Sequence, residues 1–367
     1  MKTNLLFMIA IVSNSFMVES FQRVCYLLAM INQIPIHQLD WKLCTHWILA
    51  FADLTPNGIS ITPSMDYYIH QVLQSNRTET KFMLSLRADQ ETMNFLSDVN
   101  KTMKFVESVS NILDHYQLDG FDLDYEFPAY NQKNDFVRML SFLRSEFNRK
   151  RSSNKTYALS VALSPIISIV SSSYNVAKIS AFVDWVNLMT YDFHSPNTFP
   201  YTEHNSPLFA NKLDRLYFKY FNINFAVTYL VKLGLRKKQI MVGIPFYGYK
   251  YFLVNKNFHD LYALSNGTQI TIIYRDICRN FLNRYGTKKV FDIESKVPYA
   301  YNDLEWITYD DWESITIKAQ WIVDNDLGGS MTFAINYDDY QSKCPQSIRN
   351  GKRQPFPLQT ILYQVLN

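Results

Sequence analysis

The sequence predicts an α/β fold: a parallel (β/α)8 barrel with a small α+β subdomain inserted between its seventh and eighth strands. Short apolar runs alternate with helical patterns along the chain, the order of a parallel sheet covered by helices. The 367 residues exceed a usual single core of ~100–200 residues but suit a barrel of this kind with an insertion. The alternation breaks once, over about residues 249–303, a stretch that also carries Cys278.

Residues 1–20 read as an export signal, with Lys2 ahead of an apolar run from Leu5 to Val12 and small residues, Val18 and Ser20, before a cleavage site. The run is too short to cross a bilayer. The barrel is expected over residues 21–367, with no repeat, low-complexity tract or Pro/Gly-rich linker dividing it. Its first three strands are predicted at residues 23–30, 47–54 and 81–86. Phe105, Val109, Ile112 and Tyr116 then recur at helical spacing and lead into a fourth strand within residues 118–128. Phe136, Leu140, Leu143 and Phe147 mark the next helix. The last four strands are predicted at residues 158–163, 184–193, 239–247 and 328–335.

The fourth strand carries the chemistry. Alternation puts Asp122, Asp124 and Glu126 on one face and Phe121, Leu123, Tyr125 and Phe127 on the other. Asp119-Gly120 and Pro128 bound the segment as turn residues. An aromatic opposite face implies burial rather than a solvated edge strand. Three carboxylates on a buried face cannot all ionise, so at least one is driven to hold a proton at neutral pH. Glycoside hydrolysis needs this arrangement, one carboxyl group kept as an acid beside ionised neighbours. A metal site is the chemical alternative, but no histidine or further acid cluster accompanies the row.

Hydrophobic residues at 47% and aromatics at 16% are ample for a large core. A net charge of +3, from 36 basic and 33 acidic residues, implies neither nucleic acid nor membrane as partner. Four cysteines in an exported chain suggest two disulfides, with three pairings open. Asn76, Asn100, Asn154 and Asn266 each begin an N-x-Thr glycosylation sequon.

The run Asp119-Gly120-Phe121-Asp122-Leu123-Asp124-Tyr125-Glu126 resembles the D-G-x-D-x-D-x-E signature of family-18 glycoside hydrolases, the chitinases and chitinase-like proteins. Met189-Thr190-Tyr191-Asp192 is similar to that family's M-x-Y-D segment, and Gly243-Ile244-Pro245-Phe246-Tyr247-Gly248 to its G-I-P-x-Y-G strand. In family order, these segments extend the resemblance over nearly the whole mature chain. It implies a secreted, monomeric and endo-acting enzyme that cleaves β-1,4-N-acetylglucosamine linkages in chitin or its oligosaccharides. It also implies a substrate-assisted retaining mechanism without metal or cofactor. Glu126 would then be acid and base, Asp124 the acetamide's partner, Asp122 the support of Asp124, and Tyr191 a donor to the acetamide carbonyl. Tyr26, Phe51, Met189, Asp192, Tyr247 and Phe333 would line the cleft, and His194 would be a structural hydrogen-bonding residue. The resemblance favours Cys25 with Cys44 and Cys278 with Cys344.

Departures from the pattern matter as much. The family's third strand ends in S-x-G-G, whereas here Ser85-Leu86-Arg87-Ala88 keeps the serine and loses both glycines, so Arg87 adds bulk and charge near the cleft. Phe333 stands where the family has a tryptophan under its central sugar, and Met30, Asp89 and Asn197 occupy other positions where cleft tryptophans are common. A thinned set of stacking platforms points to weak grip on polymer. The alternative is a chitinase-like protein that binds a glycan or protein without turnover, but the retained Glu126 favours the enzyme.

Overall fold

The computed structural model describes residues 21–29, 33–56, 58–75, 80–152, 155–349 and 351–367. The expected export signal, Met30, Asn76 and Asn154 lie outside the described residues. The first seven barrel strands are β1 (Gln22–Leu28), β2 (His46–Thr55), β3 (Lys81–Ala88), β4 (Gly120–Tyr125), β5 (Ala158–Leu163), β6 (Trp185–Leu188) and β7 (Ile240–Pro245). An antiparallel sheet follows, built from β8 (Tyr247–Phe252), β9 (Ile270–Ile273), β10 (Lys288–Asp292), β11 (Val297–Asn302) and β12 (Glu305–Thr308). The eighth barrel strand is β13 (Gly329–Phe333), which pairs in parallel with β7 and β1. Because β1 also pairs in parallel with β2, the sheet closes on itself as a TIM barrel.

Helices α1 (Pro63–Gln74), α2 (Val99–His115), α3 (Lys133–Arg149), α4 (Ile167–Ser173), α5 (Val176–Phe182), α6 (Ile223–Lys232), α7 (Trp312–Asp324) and α8 (Pro357–Leu366) connect and cover the strands. Their starts are set by local chemistry. Thr62 accepts from the Met65 N–H ahead of Pro63 at the head of α1, and Asp98 accepts from the Asn100 and Lys101 N–H groups at the head of α2.

The apolar residues divide into two layers. Phe121, Leu123 and Tyr125 of β4 face outward onto the helices, with the Phe121 ring 6.4 Å from Phe105 and Tyr125 5.9 Å from Phe136. Each such ring removed from water contributes about 1.5–3 kcal/mol. Val24, Tyr26, Ile48, Met83, Met241 and Met331 fill the barrel interior. Gly120 is required at the start of β4, since a Cβ there would lie 2.4 Å from the Ala158 carbonyl oxygen.

Three sequence expectations shift at their edges. The sixth strand ends at Leu188 rather than residue 193, because Asp192 adopts φ 58° and donates its N–H to the Asn205 side chain instead of to a ladder partner. The seventh ends at Pro245, and Tyr247 already belongs to the antiparallel sheet, which runs on to Thr308. The disulfides are Cys25–Cys44 and Cys278–Cys344. The first joins β1 to the entry of β2, and the second ties the inserted region to the chain after β13.

Candidate active site

The acidic row rises along β4 toward the C-terminal mouth of the barrel. Asp122 is deepest and fully buried. In the parallel register Ser85 of β3 and Ser160 of β5 sit beside it, and both hydroxyls donate to its carboxylate, at 2.7 and 2.6 Å. The Tyr26 hydroxyl and the Asn187 amide donate as well, at 2.7 and 2.9 Å. Burial pushes the Asp122 carboxyl above its usual range, and the hydrogen bonds from these four neutral donors oppose that.

Asp124 is also buried, but its Oδ1 has no hydrogen-bond partner. Burial raises its pKa well above the usual carboxylate range, and the charges of Glu126 and Asp122 add to the rise. Asp122's own hydrogen bonds come from Tyr26, Ser85, Ser160 and Asn187, and it acts on Asp124 through its charge.

Glu126 stands at the mouth with a 34% exposed side chain, and Arg87 Nε lies 3.6 Å from its Oε1. Burial raises the Glu126 pKa, the Arg87 charge pulls it back down, and the Asp192 charge adds to the rise. The cation comes from the strand register, which pairs Arg87 with Asp124 on neighbouring strands.

Asp192 faces this row from the far side. Its Oδ1 accepts hydrogen bonds from the Tyr247 and Tyr249 hydroxyls, both at 2.6 Å. Burial raises its pKa against those two bonds. Tyr191 is buried nearby, its pKa raised by burial and by the charges of Asp124, Asp192, Glu126 and Asp122. The Phe333 ring sits 5.5 Å from Tyr26, 6.0 Å from Tyr191 and 6.3 Å from Tyr247, and Phe51 is 6.1 Å from Tyr26. Met189 packs in the same interior cluster. The residues expected from sequence to do chemistry or line the cleft thus lie close to one another in and above the barrel interior.

His194 is buried among Phe199, Phe218 and Phe221, at ring distances of 6.1, 5.5 and 5.3 Å. Burial pushes its pKa down to about 3, so it is a neutral ring packed among aromatic side chains. Asp89 is exposed and holds its own turn through Thr92, and exposed Asn197 bonds Ser195, so neither offers a stacking surface. Sequence reasoning missed Ser160, Asn187, Asn205 and Tyr249. Two-residue alternation from Met189 back to Asn187, and from Tyr247 on to Tyr249, was the available signal. Among the described residues no group of three or more His, Cys, Asp or Glu side chains is placed to hold a metal ion.

The sequence matches the family described as Glycosyl hydrolases family 18 over residues 22–338. It is 30% identical to chitotriosidase-1 of Mus musculus over 353 residues, covering 90% of this chain and 73% of that protein. It is 28% identical to chitinase-3-like protein 2 of Homo sapiens over 340 residues, covering 87% of this chain and 84% of that protein. In structure it resembles an immunomodulatory active chitinase from Trichuris suis, with a TM-score of 0.88, 28% identity, and coverage of 95% of this chain and 100% of the other. It also resembles human YKL-39, described as a pseudo-chitinase with retained chitooligosaccharide binding, with a TM-score of 0.87, 25% identity and the same coverages.

Proposed function

This chain belongs to family 18 of the glycosyl hydrolases, and from that premise we propose that it is a secreted hydrolase of β-1,4-linked N-acetylglucosamine oligomers and polymers, acting with retention through the substrate's own acetamide. The observation that carries this reading is the pair formed by Asp124 and Glu126. A buried carboxyl oxygen without a partner costs about 1–3 kcal/mol, and here it lies beside a carboxyl group whose pKa burial raises. An acetamide N–H supplies the missing partner of Asp124 Oδ1, and a glycosidic oxygen takes the proton held by Glu126.

In this mechanism Glu126 protonates the leaving oxygen as the acetamide carbonyl attacks the anomeric carbon, so no enzyme nucleophile is required. Asp124 orients the acetamide and stabilises the positive oxazolinium that forms. Glu126, now ionised, then takes a proton from water as the water opens the ring. Tyr191 is the donor to the acetamide carbonyl, and Asp192, fixed by Tyr247 and Tyr249, contacts the same sugar. Phe333 and Phe51 offer it apolar faces. Asp122 keeps β3, β4, β5 and β6 in register beneath.

Secretion is part of the proposal. It is supported by the signal-like first 20 residues and the exposure of the Asn100 and Asn266 sequons, together with the two disulfides. A monomer is proposed with it. A second reading, binding without turnover, is favoured by the Arg87–Glu126 ion pair, which works against a protonated acid. Incubating the purified protein with chitin oligosaccharides of graded length separates the two readings. Cleavage of soluble oligomers supports the hydrolase, and calorimetric binding without products supports the binder.

A further inference from the structure

Arg87 replaces a glycine of the S-x-G-G pattern, and the strand register delivers its charge to the side chain that must give up a proton. Its Nε is 3.6 Å from Glu126 Oε1, beyond ordinary hydrogen-bond length, and its side chain is 62% exposed. No hydrogen bond joins the Arg87 guanidinium to another described residue. A half-exposed ion pair of this kind is worth about 0–1 kcal/mol, so a better partner can exchange for Glu126. The planar guanidinium matches carboxylate and sulfate oxygens two at a time, a fit that the single 3.6 Å approach leaves unused.

Resting on the hydrolase reading above, we propose that Arg87 selects β-1,4-linked N-acetylglucosamine polymers that carry an anionic group, a carboxylate or a sulfate ester, on a sugar beside the scissile bond. Bound to such a group, Arg87 no longer holds its charge against Glu126. A neutral oligomer leaves that ion pair in place. Asp122, Asp124 and Asp192 repel an anion elsewhere along the row, so the tolerance is confined to the position that Arg87 reaches.

The test uses a neutral N-acetylglucosamine tetramer, the same tetramer bearing 6-O-sulfates, and a hexamer alternating N-acetylglucosamine with glucuronate. Calorimetry measures their binding to the Glu126→Gln protein with Arg87 intact, with Arg87→Ala and with Arg87→Lys. With Arg87 intact, at least one anionic probe is expected to bind about tenfold more tightly than the neutral tetramer. The advantage should vanish in Arg87→Ala, persist in part in Arg87→Lys and shrink as salt rises. The sulfated arm and the glucuronate arm tell which anion is recognised. Equal binding of all three probes, or an advantage that survives Arg87→Ala, overturns the inference. Turnover by the native protein separates this outcome from failure of the hydrolase reading. Cleavage of the neutral tetramer without an anionic advantage removes only the inference. An Arg87-dependent advantage with no cleavage of any probe removes only the hydrolase.

Discussion

Asp122, at the deep end of the acidic row, receives hydrogen bonds from four neutral donors on four other strands, whereas Glu126 at the mouth faces a cation at 3.6 Å. The floor is closed and self-satisfied, and each of its groups depends on the others. The mouth is open, and its acid is set by a balance in which burial and Asp192 raise the pKa and Arg87 lowers it. The two ends of one strand thus divide the work, the floor fixing geometry and the mouth tuning reactivity. Substitutions should separate them, the floor responding in stability and the mouth in rate and pH.

The largest effect is expected at the mouth. Glu126→Gln keeps size and hydrogen bonding but cannot deliver a proton, so turnover of a chitin oligomer should fall about 10²–10⁴-fold or more with the melting temperature unchanged. Wild-type rates in that variant would end the assignment of Glu126. Asp122→Ala should do the opposite. It strands the Tyr26, Ser85, Ser160 and Asn187 donors inside the barrel, and a loss of about 2–5 kcal/mol in urea unfolding is expected. A stable Asp122→Ala protein would mean that the floor is not the structural anchor described here.

Arg87→Ala sharpens the contrast through pH. The general acid must be protonated, so kcat/KM falls as pH rises through the Glu126 pKa. The Arg87 charge lowers that pKa, so removing it should move the alkaline limb of the profile to higher pH. An unmoved limb would show that the ion pair does not reach the chemistry. The smallest effect belongs to Phe333→Trp. An indole covers more of a sugar's C–H face than a phenyl ring, so oligomer binding should tighten by ~1 kcal/mol, about fivefold. No gain in calorimetry would mean that the Phe333 ring does not lie under a sugar.

Much of this contrast was legible in the sequence, for physical reasons that differ by residue. The acidic row and its aromatic reverse are a two-residue alternation, which the strand expresses directly. Arg87 could be placed near the cleft from its spacing after Ser85. Its ion pair could not, because it depends on the register of β3 against β4. The contacts of Ser160 and Asn187 with Asp122 were hidden for the same reason, each reaching it from another strand. The sixth strand was overrun because Met189-Thr190-Tyr191 reads as an extended apolar run. The turn at Asp192 is fixed by Asn205, 13 residues on. His194 looked polar in sequence and became a packing ring because Phe199, Phe218 and Phe221 close around it.

The most direct test of the acetamide mechanism is the anomeric form of the first product released from a soluble N-acetylglucosamine oligomer, followed by proton NMR before mutarotation. The account predicts the β-anomer, because attack by the acetamide and then by water inverts the anomeric carbon twice. An α-anomer as first product would contradict it.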